Sequence, residues 1–152
     1  MYLWDANIFI SVSVYPLAFQ GFWRDLEAEI KAGRVYSVTE VRREIASLQG
    51  PIRDLMSRYP DLFVTPTNDE LQTVGAIMSD SRFEGFIKKK NWLNGNAVAD
   101  PFLIAVAKHR KCTVVTNENT NPNGSRIPEA CKAFKTKCVN FEGFMSEIGW
   151  KY

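Results

Sequence analysis

Short apolar runs rich in aromatic or β-branched residues alternate along this chain with longer amphipathic stretches, and no other feature constrains its fold as strongly. Tyr2-Leu3-Trp4 and Thr113-Val114-Val115 read as buried strands. Gly21 to Ala32 carries Phe22, Leu26 and Ile30 at helical spacing and is stopped by Gly33. Strands separated by helices of this kind give βαβ units, with a mainly parallel sheet covered on both faces. At 152 residues the chain has the usual size for one domain, taken here as 1–152.

The remaining elements follow from local signals. Val35-Tyr36 is a very short second strand. Ser37-Val38-Thr39-Glu40 fits a capping box and predicts a helix to about Leu48, ended by Gly50-Pro51. A helix around Ile52 to Tyr59 leads into an extended Leu62-Phe63-Val64, and Asn68 to Ile87 reads as mainly helical. Asp100-Pro101 predicts a helix to His109, with Asp100 at the N-cap and proline in the first helical position. Glu118 to Ser125 is rich in Asn, Gly and Pro and reads as a loop. Pro128 to Phe134 is a short helix, Cys138-Val139 an edge-like strand, and Phe141 to Ile148 a terminal helix. The expected architecture is α/β, with four or five short strands in a central sheet among six or seven helices.

Several classes are set aside by composition. A formal net charge of +2, from 19 basic and 17 acidic residues, is too mild to announce a nucleic-acid partner by bulk electrostatics. Local clusters remain, such as Lys88-Lys89-Lys90 beside Trp92, which could grip a phosphate backbone and stack a base or could equally be a solvated helix end. Three cysteines without a CxxC pair argue against a disulfide framework and for a reducing, cytoplasmic setting. A zinc site from His109, Cys112, Cys131 and Cys138 lacks paired spacing, so the thiols read as chemically idle. The apolar run Ile8 to Phe19 lacks a basic leader and falls short of the about 20 residues needed to span a membrane.

The chemistry must then come from carboxylates. In an open parallel sheet, ligands bind beyond the carboxyl ends of the strands, near the point where strand order reverses. Asp5 ends the first strand, and Glu118 follows Val115 closely. Asp100 begins the helix that feeds the Thr113 strand, and is expected to join them only if that helix reverses locally. Glu44 sits on the shoulder of the apolar stripe Val38, Val41, Ile45 and Leu48, whereas Arg43 points away from it. Glu40 is assigned to the capping box. Four converging carboxylates would repel by about 1–4 kcal/mol per close pair at intermediate dielectric. An oxygen-only donor set selects a hard cation, Mg2+ or Mn2+, and such a site suits phosphodiester hydrolysis. Each acid also has a plain structural reading: Asp100 and Asp5 as helix caps, Glu44 as a solvated helix residue, Glu118 as a loop acid.

Taken in order, Leu3-Trp4-Asp5-Ala6-Asn7, Ser37-Val38-Thr39-Glu40 with Glu44 beyond, Ala99-Asp100-Pro101 with its apolar helix, and Val114-Val115-Thr116-Asn117-Glu118 resemble the PIN domain family. The likeness covers essentially the whole chain and is greatest to PIN-like proteins related to VapC-type toxin nucleases. It implies a three-layer α/β/α fold and a metal-dependent endoribonuclease, possible toxin of a toxin–antitoxin pair. Asp5, Glu44, Asp100 and Glu118 match the acids that bind metal and catalyse, and Asn7 and Thr116 match polar residues that orient ligands or water. The implied partners are RNA, a small antitoxin and a second copy of the chain, with no membrane. Two departures stand out: Ala6 replaces a usual hydroxyl residue, and Glu118 is one methylene longer than the usual Asp. These departures fit an alternative, a catalytically degraded PIN-like module that binds nucleic acid or protein. A phosphotransfer domain with Asp5 as nucleophile is a weaker alternative, because Asn7 stands where a second acid would be needed.

Overall fold

In the computed structural model, residues 1–86, 98–120 and 126–152 are described. The Lys88-Lys89-Lys90 cluster, Trp92 and the stretch 121–125 lie outside them. The chain runs β1 (Tyr2–Trp4), α1 (Ala6–Ser13), α2 (Gln20–Lys31), β2 (Val35–Val38), α3 (Thr39–Glu44), α4 (Pro51–Arg58) and β3 (Phe63–Val64). It continues through α5 (Asn68–Ser79), α6 (Asp100–Arg110), β4 (Thr113–Val115), α7 (Ile127–Ala133), β5 (Cys138–Val139) and α8 (Phe141–Ile148). Short 3-10 turns cover Pro60–Leu62 and Ser81–Phe86.

Among the described residues the sheet has five strands in the order β3-β2-β1-β4-β5, and every pairing is parallel. After β1 the chain builds outward through β2 and β3, then returns to the other side of β1 for β4 and β5. This return creates a switch point between β1 and β4, where Trp4 is in register with Val115. The architecture is the α/β sheet flanked by helices expected from the alternation of apolar runs.

Burial explains why such short strands hold. Leu3, Trp4, Val38, Val114 and Val115 are fully buried, as are Leu103, Ile104, Ala105 and Val106 of α6. Trp4 packs edge-on against Phe9, Phe141 and Phe144, with ring centroids 5.4, 5.6 and 5.4 Å away. This one side chain of β1 thereby packs against both α1 and α8. Parallel strands buried on both faces read as apolar runs without alternation, and these do.

Several local expectations are corrected. Ser37 caps no helix: it is the buried third residue of β2, and its hydroxyl donates to the Trp4 carbonyl at 2.6 Å. Val38 precedes α3 without a side-chain cap, so Glu40 serves no capping box and instead accepts from the Thr39 hydroxyl. A capping box does form at Thr67 and Glu70, opening α5. Helix α3 stops at Glu44 rather than near Leu48, because buried Ile45 leaves helical geometry. Gly50, at φ 77°, starts α4 through Pro51 rather than merely ending α3. The stretch from Asn68 is mainly helical as expected, in two pieces, α5 and the 3-10 turn Ser81–Phe86, with a break at Asp80, whose backbone is extended. Asp100 is the first helical residue of α6, with Ala99 before it.

Candidate active site

The carboxyl ends of β1 and β4 carry a connected set of polar side chains. Asp5 follows Trp4, is 4% exposed, and caps α1 by accepting the Ala6 N–H at Oδ1, 2.6 Å away. Its Oδ2 accepts from the Thr116 hydroxyl at 2.8 Å. The same hydroxyl oxygen accepts from Asn7 Nδ2 at 2.9 Å and from the Glu118 N–H at 3.2 Å. Asn7 Oδ1 accepts the Asn117 N–H at 3.1 Å, which fixes both ends of its amide. Thr116 is thus a hub that locks the loop after β4 to the start of α1. Asn7 and Thr116, singled out in the sequence as orienting residues, here orient Asp5 and Glu118.

Glu44 and Glu118 approach from other elements. The Glu44 Oε1 atom, at the end of α3, accepts the Ala99 N–H at 3.0 Å. The residue is exposed overall, yet one of its carboxylate oxygens meets the backbone just before Asp100. Glu118 Oε2 accepts the Ile127 N–H at 2.9 Å and so holds the first residue of α7. Half-buried Asp100 lies one residue from the amide that binds Glu44, at the same end of the sheet. No local reversal of its helix is needed: α6 leads into a parallel strand, so its first residue sits where that strand ends.

The electrostatics are those of crowded acids. Burial, together with the Glu118 and Glu44 carboxylates, lifts Asp5 from its ordinary 3.8 to about 7, against hydrogen bonds from Thr116 and Ala6 that favour the charged form. Glu44 is also raised, first by burial and then by Glu118, against the pull of the Ala99 amide. Three acids from three elements therefore share one electrostatic environment.

The backbone amides of Ala99 and Ile127 were not foreseen as parts of the site. They come from helix starts, which sequence signals do locate, but their pairing with specific acids is a tertiary outcome. The chain belongs to the DUF4411 family. That family, described as a domain of unknown function, matches residues 2–152. The searches of curated proteins and of solved structures each gave no match. The family assignment carries no activity with it, so the chemistry has to be argued from the carboxylates.

Their donor chemistry fits a hard divalent cation: the converging groups are carboxylate oxygens, and Asp5 and Glu44 both resist ionisation without a counter-charge. Among the described residues, however, no three His, Cys, Asp or Glu side chains are gathered tightly enough to enclose an ion. Glu44 and Glu118 each spend an oxygen on a backbone amide. Nor do His109 and Cys112 join the other two cysteines. His109 is hydrogen-bonded to Thr73, and Cys112 to Tyr36.

Proposed function

We propose that this DUF4411 protein is a PIN-like, Mg2+- or Mn2+-dependent endoribonuclease, with Asp5, Glu44, Asp100 and Glu118 as its acids. The observation that carries the reading is the buried Asp5, held at the switch point by Thr116 and pushed to about 7 by burial and, after it, by the Glu118 and Glu44 carboxylates. Such a carboxylate is costly for the fold and makes sense where a cation repays it. A divalent ion bound there would supply Lewis acidity toward a phosphate oxygen and a water of lowered pKa.

The chain's own groups have the following roles. Thr116 and the Ala6 amide fix both oxygens of Asp5, so its charge faces one direction. The Ala99 amide does the same for one oxygen of Glu44 and leaves the other for a cation. Beside Glu118 runs an open, polar groove lined by Thr116, Asn117, Asn140 and Lys132. The Lys132 ammonium would face a phosphodiester brought toward the acids, giving local positive charge to a chain whose net charge is small. Under the toxin reading, a small partner protein would cover this acidic end, and a second copy of the chain would dock elsewhere.

The test is cleavage of a mixed-sequence RNA in Mn2+. Asp5→Asn and Asp100→Asn should each lower the rate by at least about 100-fold, roughly 3 kcal/mol of barrier, while circular dichroism stays unchanged. Wild-type rates in both variants remove the assignment. The hydrogen bonds that occupy Glu44 and Glu118 favour a second reading, a binding module whose site has lost its metal. Calorimetric titration separates the two: heat from one or two Mn2+ per chain supports the nuclease, and none at millimolar metal supports the binding module.

A further inference from the structure

Two cysteines meet in the wall of the groove beside the acids. Cys131 lies near the end of α7 and is 1% exposed, while Cys138 opens β5 and is half-buried. Both line the groove with Thr116, Glu118 and Lys132. Helix α7 packs on β5, which brings both side chains into that one wall. The intervening loop is pinned, because the Thr136 N–H donates to the Cys131 carbonyl at 2.8 Å and Lys135 takes a left-handed φ of 56°. Strand pairing of Cys138 with Val114 fixes the other side. The third cysteine is excluded from the pair: the Cys112 thiol contacts the Tyr36 hydroxyl at 2.8 Å.

We propose that Cys131 and Cys138 are a redox modification site that closes to a disulfide when hydrogen peroxide enters the groove. Cys131 is 1% exposed whereas Cys138 is only half-buried, so an oxidant in the groove reaches the Cys138 sulfur first. Cys138 is therefore the attacking thiolate. Its sulfur takes one peroxide oxygen, the O–O bond breaks, and hydroxide leaves and is protonated to water. The Cys131 sulfur then attacks the resulting sulfenic acid, the S–O bond breaks, and a second water carries off the Cys131 proton. Two electrons pass from the two thiols to one peroxide, and a dithiol reductant reverses the reaction. Position alone carries this inference, which holds whether or not the neighbouring acids cut RNA.

The experiment exposes the full-length, folded protein to a few equivalents of hydrogen peroxide, followed by alkylation and peptide mass mapping. The expected product is monomeric, lighter by two hydrogens, with peptides containing Cys131 and Cys138 joined and Cys112 still alkylatable. Dithiothreitol should restore three free thiols. In Cys131→Ala the link should vanish and a dimedone-reactive sulfenic acid should accumulate on Cys138. A wild-type chain that keeps Cys131 and Cys138 reduced, or joins either of them to Cys112 or to another chain, overturns the proposal. Since the wild type decides the matter, a variant that fails to fold does not.

Discussion

Replacing Asp5 with asparagine should stabilise the cation-free protein at pH 8 and leave it nearly unchanged, or slightly weakened, at pH 4. Asp5 titrates at about 7 in the folded chain against 3.8 ordinarily, chiefly because it is buried. Between those values the folded chain holds a proton that the unfolded chain has already released. Stability from this group is therefore present below about pH 4 and is lost as pH rises toward 7. The gap, at about 1.4 kcal/mol for each pH unit, sets a ceiling of about 4 kcal/mol on the loss. Asparagine removes the charge but cannot accept from both Ala6 and Thr116 as the carboxylate does, which returns about 1 kcal/mol. A net gain of about 1–3 kcal/mol at pH 8 follows. Urea unfolding of both proteins in EDTA at pH 8 and pH 4 measures it. Equal stability gaps at the two pH values, or a variant weaker than wild type at pH 8, would refute the reasoning. Adding Mn2+ should then shift the gap at pH 8 toward wild type by about 2.7 kcal/mol at 100 times the Kd, enough to cancel most or all of the variant's advantage.

Other variants probe the surrounding contacts. Glu118→Gln keeps an acceptor for the Ile127 amide but removes a charge, so the Asp5 carboxyl should titrate lower by NMR and Mn2+ affinity should fall about tenfold or more. Thr116→Val orphans the partners of its hydroxyl and should cost about 1–3 kcal/mol in thermal unfolding, whereas Thr116→Ser should restore most of it. Away from the site, Arg110→Ala strands Glu70, which is 2% exposed, and should cost about 2–3 kcal/mol by urea unfolding. Burial pushes the Glu70 carboxyl up, but Arg110 and the Thr67 amide outweigh it and hold it below its usual 4.5. Its stabilisation is accordingly present above that value and is lost as acid protonates it, and that acid sensitivity should weaken in the variant.

Much of this protein is legible in its sequence because the governing effects are local. Apolar runs of three residues flanked by amphipathic stretches specify buried parallel strands, and proline at the start of α6 marks a helix regardless of what surrounds it. The acids at strand ends, Asp5 and Glu118, could be named for the same reason. Ser37 shows where local signals fail. Its spacing to Glu40 mimics a capping box, but pairing with Phe63 of β3 claimed its backbone, and the Trp4 carbonyl claimed its hydroxyl. The true box at Thr67 had no stronger local signature. Only the tertiary structure decided which amide each glutamate meets, that α6 starts at the acidic end without any reversal, and that Cys131 and Cys138 share one groove wall. Periodicity and caps act over a few residues, whereas strand order is set by which surfaces bury together. The charge environment of a side chain is settled only after those surfaces have closed.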